Sequence, residues 1–315
     1  MAFSNSFEIL YQKLLSDKTK KISERVILVI AIASFLIHLI IIYLVDWGFI
    51  SLDTPSDLLK NPIAAIYTPF SFILVYEVYL LIHYLPKSIT IYISKQYEII
   101  TLIIIRRLFK DLSTLSLSSD WFKIKYDLQF TYDLIASVLL FFLIYQFYIQ
   151  SKKRYRIVMR DDLQIEEISK FIKIKKVLAT SLVPILILVA VYSFLNWCIS
   201  IVYPNTDAGV SFKNINNIFF EQFFTVLIIA DVILLLFSFF HTDEFHKVIR
   251  NSGFIISTIL IRLSFSVSGL LNTVLIVSAI VFGLLILIIH NKFEQHIAAE
   301  ERFVDETRPE LPKLS

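Results

Sequence analysis

Apolar runs of about twenty residues recur along this chain. That is the length an α-helix needs to cross the roughly 30 Å hydrocarbon core of a bilayer. The first is VILVIAIASFLIHLIIIYLV, residues 26–45, and others occupy 63–85, 89–107, 130–149, 177–203 and 223–240. Residues 253–290 are almost continuously apolar. As one helix they would measure roughly 57 Å, far more than the core. They read instead as a hairpin turning at Ser268–Gly269, with arms 253–267 and 270–290, the first arm being short. No repeat with a period of 20–50 residues is visible. The predicted fold is all-α, a polytopic transmembrane helical bundle of seven or eight spans.

Composition agrees. Of 315 residues, 57% are hydrophobic and 18% charged, against nearer half and a quarter in a soluble domain. The net charge of +3 is too small to suggest a nucleic-acid partner, and the basic residues flank apolar runs. The single cysteine, Cys198, can form no internal disulfide. The N-terminus is charged and lacks a cleavable signal pattern. Phe7, Leu10, Tyr11 and Leu14 form one apolar helix face beside a basic tract, the pattern of an interfacial helix.

The stretch KQYEIITLIIIRR, 95–107, decides the topology. If all eight segments span and the N-terminus is cytoplasmic, the cytoplasmic segments hold most of the lysines and arginines, including Lys152, Lys153, Arg154 and Arg156. Both termini are then cytoplasmic. If 89–107 did not cross, every later loop would invert and the positive-inside bias would vanish. Trp47, Trp121 and Trp197 also fall at the external interface in this arrangement, where amphipathic rings prefer to sit. The organisation is therefore an amphipathic segment 1–25, a four-helix module 26–149, a basic loop 150–176, a second membrane module 177–290 and a tail 291–315.

Ionisable residues inside spans face the bundle interior, pair, or line a water path. At 100° per residue, Ser94, Lys95, Glu98, Thr101 and Arg106 share one arc of about 140°, while Arg107 points elsewhere. Residues equally far from the turn near Lys87 lie at equal depth, which places Glu77 beside Lys95 and Glu98 and predicts a buried cluster of the three. Two acids sharing one base suit proton or cation binding. Arg106 and Arg107 fall at the level of Asp133, and the three are candidates for a gate or latch. Asp231 and Arg262 mirror each other about a turn near His246, predicting a pair that holds helix register. Adjacent arginines point about 100° apart and make no voltage-sensing ladder.

Other motifs are sparse. HTDEFHKVIR, 241–250, has two histidines five apart and no HExxH, so it reads as a solvated turn with no metal. His38, His83 and His290 read as hydrogen-bonded packing residues. No nucleophile, phosphate-binding or dinucleotide glycine pattern occurs, so neither an enzyme nor a cofactor is indicated. RDDLQIEEISKFIKIKK reads as an amphipathic helix on the membrane surface or on a partner, and the basic cluster Lys152, Lys153, Arg154 and Arg156 suits anionic lipid.

The run VYEVYLLIHYLPKSITIYISKQYEIITLIIIRRLFKD, followed by TYDLIASVLLFFLIYQF, resembles the phosphate-starvation-inducible protein E membrane proteins of bacteria. The features that carry the resemblance are Tyr76 and Glu77, a helix ending at Arg106 or Arg107, Asp111, and Asp133 opening the next span. It covers about residues 70–150 and implies a four-helix membrane module with no assigned reaction. The expectation is a multi-pass protein of the bacterial inner membrane that passes an ion, proton or small solute through the first four spans. Glu77 and Glu98 would bind, Lys95 would tune them, and a homo-oligomer is compatible. The alternative is a non-transporting scaffold or stress sensor that recruits a partner through its loop and tail.

Overall fold

The computed structural model describes residues 2–49, 62–112, 125–153, 162–202, 212–240, 244–267 and 269–307. Among them there is no strand. Nine α-helices follow in order: α1 Ala2–Leu15, α2 Asp17–Asp46, α3 Tyr67–Tyr84, α4 Ile89–Leu112, α5 Lys125–Ser151, α6 Asp162–Val202, α7 Phe212–Phe239, α8 Phe245–Ser264 and α9 Leu270–Thr307. Ser16 separates the first two. Its hydroxyl accepts the Thr19 N–H at 3.1 Å and caps α2. Gly269 turns the chain between α8 and α9 with φ 76°, a conformation that glycine adopts without strain.

Five stretches are long and apolar enough to cross a membrane: Phe7–Asp46, Leu128–Ser151, Ser169–Tyr192, Gln222–Phe239 and Leu270–Glu300. The chain has the build of a multi-pass membrane protein. Its apolar residues point outward as well as inward. In α2 only Ala31 and Ile42 are buried, while Val29, Ile32 and Ile37 are exposed. Such a helix suits lipid and not water.

The five fall short of the seven or eight expected. The apolar stretch in α3, Thr68–Tyr84, is shorter. Helix α4 carries Lys95, Glu98, Arg106 and Arg107, and α8 carries Lys247, Arg250 and Arg262. These two helices are wrapped by other helices, so their polar groups meet protein. Two boundaries also differ from expectation. Of 150–176, residues 150–153 hold the end of α5 at Ser151, and residues 162–176 are the front of α6, one helix through Pro184 to Val202. The arm read as 253–267 begins earlier, at Phe245. Trp121, Arg154 and Arg156 lie outside the described residues, as does the side chain of Trp197.

Three connections lie at one end of the bundle. Lys175 Nζ donates to the Lys87 carbonyl at 3.1 Å, and Asn291 Nδ2 to the Gln150 carbonyl at 2.9 Å. The start of α8 is there too, since His246 meets Glu294. Helix α4 therefore runs from this end toward the opposite one, where Arg107 meets Asp133. Helix α1 packs across the first end: Lys176 Nζ reaches Glu8 at 2.7 Å, and the Tyr79 hydroxyl donates to the Leu14 carbonyl at 2.9 Å.

The packing order repeats. Helices α2, α3, α4 and α5 pack each against the next, and so do α6, α7, α8 and α9; α4 also touches α8, and α5 touches α9. The sequence repeats with it, at a period far longer than fifty residues. FSFILVYEVYLL, 70–81, aligns with FTVLIIADVILL, 224–235, and IITLIIIRRLF, 99–109, with IISTILIRLSF, 255–265. Glu77 falls on Asp231 and Arg106 on Arg262. Asp133, Ala136, Leu140, Leu143, Ile144 and Phe147 of α5 are buried, and so are Thr273, Ile276, Ile280, Gly283, Leu284 and Leu287 at the matching steps of α9. The chain is two four-helix modules laid side by side along α4–α8 and α5–α9.

Candidate functional site

Helix α4 is the polar axis of the bundle, and its side chains bond to five other helices. At its C-terminal end, Arg106 Nη2 donates to Glu77 Oε2 of α3, and Nη1 donates to the Phe70 carbonyl at 3.1 Å. Arg107 grips Asp133 of α5 in a two-pronged pair, Nε at 2.5 Å and Nη2 at 2.7 Å. The same carboxylate accepts from Gln129 at 3.0 Å and Thr273 at 2.9 Å. Arg107 Nη1 reaches Asn272 Oδ1 at 2.7 Å, and Asn272 Nδ2 donates to the Ser264 carbonyl at 2.6 Å. This knot ties α4, α5, α8 and α9.

The expected cluster of Glu77, Lys95 and Glu98 does not form. Glu77 pairs with Arg106, and Lys95 pairs with Glu98 alone among acids. The reason is the lean of helical side chains toward their own N-terminus. In a hairpin, that lean carries the acid of the incoming helix away from the turn and the base of the outgoing helix back toward it. The two meet although the arginine lies roughly nine residues, about 14 Å of rise, farther from the turn. Asp231 and Arg262 meet in the same way across the α7–α8 turn, at 2.7 Å. Lys95 Nζ instead lies 2.8 Å from Glu98 and 3.0 Å from the Tyr148 hydroxyl. It also sits over the Tyr84 ring at 5.5 Å, while Tyr148 donates to Glu98. This group is partly exposed near the α3–α4 turn.

At the level of Lys95, but on the side of α4 that faces α7 and α8, lies a fully buried polar group. Tyr92 donates to Asp231 Oδ1 at 2.8 Å, and Arg262 Nη2 to Gln96 Oε1 at 3.0 Å. Asp231 is 0% exposed and Arg262 5%. The group is incompletely satisfied. Arg262 Nη1 and Gln96 Nε2, both donors, have no hydrogen-bond partner among the described residues. Asp231 Oδ2 lies 2.7 Å from Arg262 Nη2 but outside hydrogen-bonding alignment. Buried groups of this kind are ordinarily bonded to protein, water or a ligand. One turn along, the Tyr97 hydroxyl meets Ser257 Oγ at 2.7 Å, and Ser257 donates to the Ala279 carbonyl at 2.6 Å. Gly283 of α9 makes room for that tyrosine, since a Cβ there would collide with its hydroxyl.

At the other end, the described part of HTDEFHKVIR, residues 244–250, differs from the solvated turn its composition suggests, while His241 lies outside the described residues. His246 is buried, and its Nε2 lies 3.0 Å from Glu294 Oε1. His290 Nε2 lies 3.6 Å from the same oxygen, and the two rings stack at 5.2 Å. His246, His290 and Glu294 present ligand atoms within 4.8 Å of one another and could hold a metal ion. The sequence signal is a helical pair, His290 and Glu294, one turn apart on α9 and distant in sequence from His246. His38 and His83 have partners as well, Thr68 at 2.5 Å and Asp17 at 3.4 Å.

Chemically, the paired acids at the two ends of α4 are held in place, while among the described residues the Tyr92–Gln96–Asp231–Arg262 group gathers three of the buried polar atoms left without a hydrogen-bond partner, beside single atoms of His83, Ser94 and His290. Compared with protein-family models, curated proteins and solved structures, the chain matches none.

Proposed function

We propose that this protein crosses the bacterial inner membrane eight times, through α2–α9, with both termini cytoplasmic, and moves a small ion or solute along the seam between its two modules. The observation that carries the reading is the buried Tyr92–Gln96–Asp231–Arg262 group, with two donors left over at the module interface. Transporters built from repeated modules bind their substrate where the repeats meet. The binding group therefore shifts from the first four spans to the interface. The Lys95–Glu98–Tyr148 cluster flanks this group on another face of α4, and Arg107–Asp133 with Arg106–Glu77 closes the outer side. Lys20, Lys87, Lys152, Lys153, Lys175 and Lys247 belong to the end that contains the α3–α4 and α7–α8 turns, which orients that end to the cytoplasm. Lys152 and Lys153 are exposed there to meet anionic headgroups. The first module is the one that resembles the phosphate-starvation-inducible protein E family.

A second reading, a scaffold without flux, is favoured by a different fact: Glu77, Glu98 and Asp133 are each already paired with a base. Proteoliposomes separate the two. An entrapped pH dye and an entrapped chloride-sensitive dye report flux for protons and small anions. Flux in the wild-type protein that falls at least tenfold in Arg262→Gln and Gln96→Leu, with unfolding temperatures retained, supports transport. Wild-type flux that both variants leave intact overturns the seam. No flux with either dye in a folded wild-type protein favours the scaffold.

A further inference from the structure

His246 and His290 match Thr90 and Gln150 in the first module, so the histidine cluster belongs to the second module alone. All three ligand residues are buried: the side chains of His246, His290 and Glu294 are exposed by 8%, 7% and 11%. Burial of a carboxylate with two imidazoles, away from the apolar core and at a helix–helix junction, calls for a cation or an equivalent network of protons.

We propose that His246, His290 and Glu294 form a binding site for a divalent transition-metal ion, with Arg250 as its built-in competitor. The geometry fits such an ion. Zinc binds nitrogen and oxygen at about 2.0–2.2 Å, so tetrahedral ligands stand roughly 3.3 Å apart. The separations to Glu294 Oε1 are 3.0 Å from His246 Nε2 and 3.6 Å from His290 Nε2. A fourth ligand atom is at hand, since Glu244 Oε2 lies 3.4 Å from His246 Nε2. Two imidazoles with carboxylate suit zinc and its first-row neighbours over the hard ions calcium and magnesium. His290 and Glu294 sit one turn apart on α9, which puts both on one face. His246, in the first turn of α8, completes the set from across the junction. An ion there would clamp α8 to α9.

Arg250 makes the site conditional. Its Nη1 lies 2.9 Å from His290 Nε2 and occupies the lone pair an ion would use. Its Nε and Nη2 are held at 3.2 and 3.0 Å by Asn251 Oδ1. An arginine stays protonated, so it can only donate and can only repel a cation. Ion and guanidinium exclude each other, and binding swings Arg250 off His290. The inference stands apart from transport through the seam and holds for a scaffold equally.

The test uses the full chain in detergent, purified with a histidine-free tag, stripped with chelator and titrated with cobalt(II). One equivalent with the visible bands of a four-coordinate site, displaced by zinc, is expected. His246→Ala and Glu294→Gln, checked for folding in the metal-free state, weaken binding at least tenfold. Arg250→Gln tightens it. X-ray absorption on the zinc-loaded wild-type protein needs no variant and should show two imidazoles with oxygen. An all-oxygen shell, no cobalt bands, or bands that survive His246→Ala would overturn the site. Unchanged affinity in Arg250→Gln would overturn the competition.

Discussion

The Arg107–Asp133 knot is the place to measure what the buried charges of α4 contribute. Asp133 is 0% exposed and accepts from Arg107, Gln129 and Thr273. Asp133→Asn keeps the shape and removes the charge. It leaves the Arg107 guanidinium with Asn272 as its remaining side-chain acceptor and sets an amide N–H against donors. Breaking a buried pair costs about 3–5 kcal/mol. Arg107 retains 27% exposure of its side chain, which places the loss near the lower bound, about 3 kcal/mol. That is roughly a hundredfold in the unfolding equilibrium. The Lys95–Glu98 pair is an internal control. Its side chains are 28% and 30% exposed, so Glu98→Gln should cost no more than about 1 kcal/mol.

Equilibrium unfolding in mixed detergent micelles, followed by tryptophan fluorescence, reads both numbers. The double variant Arg107→Met with Asp133→Leu removes both charges and should recover most of the loss, giving a coupling energy of about 2 kcal/mol or more. Asp133→Asn within about 0.5 kcal/mol of wild type would refute the reasoning. So would single effects that simply add in the double variant.

Two further outcomes follow from the packing. Gly283→Ala drives a methyl into the Tyr97 hydroxyl and to 3.1 Å from Ser257 Oγ, so it should destabilise by about 1–3 kcal/mol; Tyr97→Phe should relieve part of that, and no relief would contradict the close approach. Single cysteines at Lys87, Lys152 and Lys247, in a Cys198→Ser background, should react with a membrane-impermeant reagent from the same side of sealed vesicles. Labelling of any two from opposite sides would break the eight-crossing topology.

The apolar runs and the Gly269 turn were legible because they depend on local properties, hydropathy and backbone freedom. Depth reasoning from the turns worked less evenly. It placed Asp231 at the level of Arg262 about a turn near His246; α7 ends at Phe239 and α8 starts at Phe245, so the two do meet, but by the same lean as Glu77 and Arg106 and not by equal depth. It placed Glu77 beside Lys95, and the structure pairs Glu77 with Arg106. Depth fixes where a Cα lies, while the long arginine side chain and its lean fix where the charge goes. The metal-competent cluster was out of reach because its ligands come from segments more than forty residues apart. The central place of helix α4 was hidden for a related reason. Most of its polar groups are met by residues scattered over α3, α5, α7, α8 and α9, and no single stretch of sequence contains that information.

Comparison of the two modules within one chain divides the charges into kinds. An acid on the first helix of the hairpin and an arginine on the second occur in both, as Glu77–Arg106 and Asp231–Arg262. Two copies that have otherwise diverged in sequence share this pair, and the same side-chain lean closes it twice. That is what a requirement of the hairpin itself looks like: the pair sets the register of two helices. The remaining charges differ between copies. Lys95, Glu98, Arg107 and Asp133 match Asn251, Phe254, Leu263 and Thr273, while His246 and His290 match Thr90 and Gln150. Register does not need these, since each module holds its hairpin without the other's set. Tyr92 and Gln96 then matter most, because they reach out of the first module to the Asp231–Arg262 pair of the second. A pair that only held register in its own hairpin would have no use for them. With them it becomes a shared polar group at the seam, and the donors left over there belong to neither module alone.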